Sequence, residues 1–211
     1  LYQPESGVQT LSDMEGIDAI RFGPGIARDD LKLGLGVIRV GDTDGILHLT
    51  HFDAGDVFGP HDVEHFRFDD GDSLTYGELV LRGFDLEGTE GADLITGTNT
   101  TDRIDGKAGN DVLAGGLGSD TYYFGAGSGH DRLVEAVSLS DQDILRVVGN
   151  SNDVTVARDG DIIVIGLKQS DDRIALDWYT DPGARIESVV FNGDLAWDGA
   201  TIESMADSVI D

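Results

Sequence analysis

Residues 88–133 read GTEGADLIT (88–96), GTNTTDRID (97–105), GKAGNDVLA (106–114) and GGLGSDTYY (115–123), then, after two inserted residues, AGSGHDRL (126–133). Asp93, Asp102, Asp111 and Asp120 recur every nine residues, and Asp131 closes the series. An apolar or aromatic residue follows each aspartate by two positions, at Ile95, Ile104, Leu113, Tyr122 and Leu133. A glycine opens each nonapeptide, at Gly88, Gly97, Gly106 and Gly115.

Each unit reads as a turn of about six residues followed by a strand of about three, with the apolar side chain pointing into a narrow core. Two units then make one coil, so turns eighteen residues apart stack on the same edge. Asp93 falls over Asp111 and Asp102 over Asp120, and Asp111 meets Asp131 if the insertion is absorbed locally. Stacked carboxylates repel unless a cation lies between them. Calcium suits such a site, because it accepts carboxylate and carbonyl oxygens at roughly 2.3–2.6 Å in irregular geometry. Magnesium demands a stricter octahedron, and zinc prefers nitrogen or sulfur.

These residues resemble the RTX, or haemolysin-type, calcium-binding repeat GGxGxDxUx. The resemblance implies an all-β fold: a parallel β-roll, flanked and capped by antiparallel β modules. It also implies ligands, since turn carbonyls join the aspartate carboxylate in that family. Carried onto this chain, they are Gly88, Glu90, Ala92 and Asp93; Gly97, Asn99 and Asp102; Gly106, Ala108, Asn110 and Asp111; Gly115, Leu117, Ser119 and Asp120; and Gly129 with Asp131. Thr89, Thr98 and Lys107 replace the second glycine, and Thr100 the fourth-position glycine, so the turn at 97–102 is expected to bind weakly or to act as scaffold.

The chain has 211 residues, long enough for one or two domains. Fourteen Lys and Arg against 41 Asp and Glu give a formal charge of −27, which excludes nucleic acid as a partner, because phosphate binding needs a basic surface. That charge opposes compaction, and 30 glycines favour the unfolded chain by entropy. Calcium binding is therefore expected to be coupled to folding. Cysteine is absent, so neither a disulfide nor a thiolate is available. No apolar run of membrane-spanning length and no signal peptide is present, and the opening at Leu1 suggests a piece of something larger.

Around the repeats, short alternating runs such as VIRV, ILHLTHF, DVTVARDGDIIVIGL and RIALDWY predict β-strands. The expected domains are a β module with the remnant of an earlier roll (1–85), the calcium roll (86–134) and a β cap (135–211). The flanks align with one another: Gly7 with Gly129, Gln9 with Asp131, Leu11 with Leu133, Asp13 with Glu135, Asp18 with Asp143, Leu47 with Ile174, Leu49 with Leu176, Phe52 with Tyr179, Val63 with Ile186 and Phe68 with Phe191. That is an internal duplication. The flanks resemble the haemolysin-type calcium-binding related domain, and residues 119–187 are similar to the last repeat block and C-terminal flank of adenylate cyclase toxins. Trp178, Tyr179, Phe191 and Trp197 are expected to fill the cap. ATIESMADSVID reads as a short helix, and Asp207 to Asp211 resemble the acidic, apolar ending of a type I secretion signal.

Several patterns imitate catalytic motifs. His61, Glu64 and His65 spell the inverted zinc-protease sequence in HDVEH, yet Pro60 and FRFDDGD deny it a helix. His48 and His51 read as exposed strand histidines. Gly127, Ser128 and Gly129 do not complete a nucleophile elbow, and Asp181–Pro182 reads as a simple turn. The expected function is a non-enzymatic calcium-binding module of a secreted, extracellular RTX protein that folds on calcium after type I secretion. Its partners would be calcium, the secretion machinery and, through the parent protein, a host membrane or receptor. The alternative is an extender or ligand-binding segment of an adhesin rigidified by calcium. Asp111 sits in a turn that sites above and below can share, so Asp111→Ala should raise the calcium midpoint of folding clearly more than Asp102→Ala. Equal midpoints would refute the stacking.

Overall fold

The computed structural model describes residues 8–11, 16–41, 45–193 and 195–207. The positions expected for Gly7 and Asp13, and most of the acidic ending at 208–211, lie outside them. Two compact units are formed, 1–85 and 86–211.

In the first unit, β1 (Val8–Leu11), β2 (Ala19–Arg21), β3 (Leu31–Gly34), β4 (Val37–Val40), β5 (Gly45–Leu49), β6 (His65–Arg67) and β7 (Ser73–Thr75) lead into a short helix, α1 (Tyr76–Val80). β1 lies parallel to β5, while β5, β4 and β3 are antiparallel neighbours. A smaller sheet pairs β2 parallel to β6, and β6 antiparallel to β7. Alternation along β4 and β5 buries Ile38, Val40, Leu47 and Leu49 on one face, as a period of two requires. Phe22 stacks on Phe68 at 5.3 Å, and Thr75 and Glu78 close a capping box that starts α1.

The boundary between the units falls in β8 (Phe84–Glu87). Beyond it come β9 (Leu94–Thr96), β10 (Asp102–Asp105), β11 (Val112–Ala114), β12 (Thr121–Phe124), β13 (His130–Leu133), β14 (Ile144–Val147), β15 (Val154–Asp159), β16 (Ile162–Leu167), β17 (Arg173–Asp177), β18 (Ser188–Val190), β19 (Ala196–Asp198) and the helix α2 (Gly199–Asp207). They wind into two parallel ladders: β10–β12–β14–β18 on one side and β9–β11–β13–β17 on the other. This is an all-β parallel roll. The inward column Ile95, Ile104, Leu113, Tyr122, Leu133, Leu145, Ile174 and Val189 is buried throughout.

The ladders do not stop at residue 134. β14 stacks on β12, β17 on β13 and β18 on β14, so the roll continues through progressively longer connections. Antiparallel strands then finish each ladder, β19 against β18 and β16 with β15 against β17. These pairings cover edges that would otherwise be open to association. Trp178, Phe191 and Trp197 are buried here, Phe191 meeting Trp197 edge-on at 4.4 Å. Tyr179 is only half-buried, beneath the Arg158 guanidinium at 3.9 Å.

The duplication is written in the hydrogen-bond registers. Gln9 and Leu11 pair with Leu47 and Leu49, as Asp131 and Leu133 pair with Ile174 and Leu176. Each unit then repeats the same order: three antiparallel strands, a parallel pair, a hairpin and a helix.

Coils in the repeat stack too closely for side chains. A Cβ on Gly97 would strike the Gly115 carbonyl and the Asp102 carboxylate, although the Gly97 backbone is not left-handed. Gly149 has open space around it. Gly97→Ala should therefore lower the unfolding stability of the calcium-loaded chain by about 1–3 kcal/mol, with Gly149→Ala within about 0.5 kcal/mol of the parent. Equal denaturation midpoints for the two variants would contradict the packing.

Candidate calcium site

Stacked turns bring each aspartate amide to the carboxylate of the next coil. On one edge the Asp93 N–H donates to Asp111 Oδ1 at 2.9 Å, and the Asp111 N–H to Asp131 Oδ1 at 3.1 Å. On the other, the Asp102 N–H donates to Asp120 Oδ1 and the Asp120 N–H to Asp143 Oδ1, both at 2.8 Å. Glu187 Oε2 continues that series by accepting the Asp143 N–H at 2.6 Å. Asp172 closes the first edge, its two oxygens taking the Gly129 and Gly127 amides at 2.7 and 3.0 Å.

The second oxygen of each aspartate depends on the second residue of its turn. Where that residue is threonine, its amide and hydroxyl both donate: Thr89 to Asp93 Oδ2 at 2.6 and 2.8 Å, Thr98 to Asp102 Oδ2 at 2.7 and 3.1 Å. Lys107 and Gly116 supply no hydroxyl. Asp111 Oδ2 and Asp120 Oδ2 are then buried without a hydrogen-bond partner, as is Asp102 Oδ1. Such groups are costly unless something neutralises them. Lys107 is also the one non-glycine with positive φ among the described residues, at 65°, in the place where Gly116 has 99°.

Burial sets the electrostatics. It raises Asp102, Asp131 and Asp143 to about 6 and Asp120 to about 8. Asp111 is raised for the same reason, whereas Asp93, at the open end, is lowered by the Thr89 amide and hydroxyl. A column of ionised carboxylates is thus unfavourable by itself, and its donors are all oxygens. The orphaned Asp111 and Asp120 oxygens fit a hard divalent cation such as calcium.

Of the positions singled out in the sequence, Gly88, Glu90, Ala92 and Asp93 stack on the turn of Gly106, Ala108, Asn110 and Asp111, which stacks on Gly129 and Asp131. The Asn110 side chain accepts the His130 N–H at 3.0 Å. Gly97, Asn99 and Asp102 stack on Gly115, Leu117, Ser119 and Asp120 along the opposite edge. The carboxylates form two separate columns, with the same partners that stacking of turns eighteen residues apart predicts. Sequence reasoning overlooked Asp143, Asp172 and Glu187, although each precedes a buried apolar residue by two positions, at Leu145, Ile174 and Val189. That spacing is the repeat's own signature without its glycines.

The motif-like residues have other work. Glu64 Oε2 accepts the Asp18 N–H at 2.6 Å, the same bond that Glu187 makes with Asp143. His61 stacks on Tyr76 at 4.2 Å and its Nδ1 contacts the Gly59 carbonyl at 2.7 Å, while His65 belongs to β6. His48 is exposed on β5 as expected, but His51 is not a strand residue: it lies past β5 and its Nδ1 meets the buried Asp62 carboxylate. Asp181 Oδ1 caps the turn at Pro182–Ala184 by accepting the Gly183 N–H at 2.9 Å.

Residues 85–106 and 96–133 match the family model of the RTX calcium-binding nonapeptide repeat, in four copies. No curated protein matches the chain. Among solved structures, the extracellular lipase LipA from Serratia marcescens is similar over 83% of this chain and 32% of its own, with 16% identity and a TM-score of 0.33. The chain thus spans about a third of that protein's length.

The raised carboxylates fix the sign of a pH effect. Unfolded aspartates titrate near 4, so the proton-linked stability of the calcium-free fold is full below about pH 4 and is lost as pH rises through about 6–8. In chelator, β-structure measured by circular dichroism should increase on going from about pH 8 to about pH 5. A flat profile would show that these groups are not desolvated.

Proposed function

We propose that this chain, which carries RTX calcium-binding repeats, is the calcium-responsive folding module of a secreted RTX protein. The observation that carries the reading is the pair of stacked carboxylate columns with buried, unpartnered oxygens at Asp111 and Asp120. Calcium would be held there by Asp93, Asp111 and Asp131 on one edge and by Asp102 and Asp120 on the other. The turn carbonyls of Gly88, Glu90, Ala92, Gly106, Ala108, Asn110 and Gly129, and of Gly97, Asn99, Gly115, Leu117 and Ser119, would complete the shells.

At low calcium the charge of −27 and the desolvated aspartates keep the chain extended, a state suited to threading a type I secretion channel. Millimolar calcium outside the cell then closes the columns. Folding starts from the C-terminal end, where Trp178, Phe191 and Trp197 provide an apolar core that needs no ion. The likeness of 119–187 to the end of adenylate cyclase toxins belongs to the same reading. The matched repeat is a calcium-binding element rather than a catalytic one, and any enzymatic activity would belong to the parent protein.

The duplicated module favours a second reading, an extender segment of an adhesin in which calcium rigidifies a repeated scaffold. A far-ultraviolet circular dichroism titration with calcium, against magnesium, separates the two. The folding module predicts a cooperative coil-to-β transition with calcium alone at neutral pH. A chain already folded in chelator would overturn it in favour of the extender.

A further inference from the structure

Asp120, Glu135 and Asp143 each offer an oxygen within 4.8 Å of the others. All three are buried, at 0, 8 and 6% exposure. Their places in the fold differ. Asp120 precedes β12 and Asp143 precedes β14, neighbours in one ladder, whereas Glu135 lies on the connection that leaves β13 in the other. Glu135 belongs to no nonapeptide.

Hydrogen bonds account for only part of the cluster. Asp120 Oδ1 accepts the Asp102 N–H and Asp143 Oδ1 accepts the Asp120 N–H, each at 2.8 Å. Asp120 Oδ2 and Glu135 Oε1 are fully shielded from solvent and have no partner. The Tyr122 hydroxyl comes near Glu135 without completing a hydrogen bond, and it too is unpartnered. Gly115 leaves the room: a Cβ there would strike Asp120 Oδ2 and stand 2.5 Å from the Tyr122 oxygen. Three carboxylates, a phenolic oxygen and a side-chain-free backbone therefore converge in one buried polar cluster.

We propose that Glu135 joins Asp120 and Asp143 in a divalent-cation site that extends the Asp102–Asp120–Asp143 column beyond the nonapeptides and clamps the connection after β13 onto the last repeat coil, an inference that rests on the calcium reading proposed above for Asp120. Carboxylate oxygens alone specify a hard ion, and the convergence of three charges from separate segments suits calcium better than the near-octahedral, water-rich shell of magnesium. A turn site stacks neighbouring turns along one edge. This one joins the two ladders, since Glu135 comes from a segment following β13 while Asp120 and Asp143 border β12 and β14. The competing explanation for the cluster is a retained proton rather than a metal.

Two measurements decide between them. In crystals of the whole wild-type chain grown with terbium in place of calcium, the anomalous map should hold a peak bounded by Asp120 Oδ2, Glu135 Oε1 and Asp143. Calcium counted by equilibrium dialysis should fall by one ion per chain in Glu135→Gln, with the β spectrum kept at saturating calcium. Terbium in the repeat turns without a peak at this cluster, or an unchanged ion count in Glu135→Gln, would overturn the site and leave the proposed function standing. A wild-type chain that binds no calcium at all would instead remove the proposed function. If Glu135→Gln does not fold, the presence or absence of the peak in the wild-type anomalous map decides alone.

Discussion

The roll depends on a backbone amide of one coil donating to a carboxylate of the next. From Asp93 to Asp111 to Asp131, and from Asp102 to Asp120 to Asp143 to Glu187, the same bond recurs at 2.6–3.1 Å. It satisfies a turn amide that no strand neighbour can reach, and it fixes the vertical register of the coils. The same bond draws charged groups into a narrow interior, where burial raises most of them well above the ordinary aspartate range. Registry and charge are therefore inseparable here. An ion that neutralises the columns also stabilises the stacking that builds them.

The bond outlives the sequence motif. Beyond the last nonapeptide the glycines thin out and the connections lengthen, from 18 residues between stacked carboxylates to 20, 23 and 44. A carboxylate still precedes a buried apolar residue by two positions, and it still accepts the amide of the preceding coil. Glu64 repeats this arrangement in the first unit, accepting the Asp18 N–H and preceding the buried Phe66 by two positions, although no nonapeptide surrounds it. What is retained is the pair of roles, acceptor at the turn and plug in the core. The glycines matter where coils meet turn against turn, and long connections relax that requirement.

The columns, the coil of two units and the buried residues at Ile95, Ile104, Leu113 and Tyr122 were legible because a strict period of nine leaves little freedom of register. Alignment of the two flanks anticipated the pairing of Leu47 and Ile174 with equivalent strands. The continuation of the ladders past 134 was hidden, because insertions between Leu133 and Ile144 and between Val147 and Ser188 break the beat by which a solenoid is recognised. Glu135 and Glu187 were hidden differently. Each takes its meaning from a partner remote in sequence, and a single carboxylate carries no such label. The His51–Asp62 pair escaped notice for the same reason.

Thr89 and Thr98 look like degenerate glycines, yet each hydroxyl occupies the carboxylate oxygen that Asp111 and Asp120 leave bare. A hydroxyl is thus an internal surrogate for the ion, installed one turn at a time. The demand for cation at this second oxygen rises along the coil axis, from Asp93 and Asp102, where a threonine hydroxyl fills it, to Asp111 and Asp120, where nothing does. Exchange of threonine and glycine at this single position would then act as a dial for the calcium threshold, tuned without touching any aspartate.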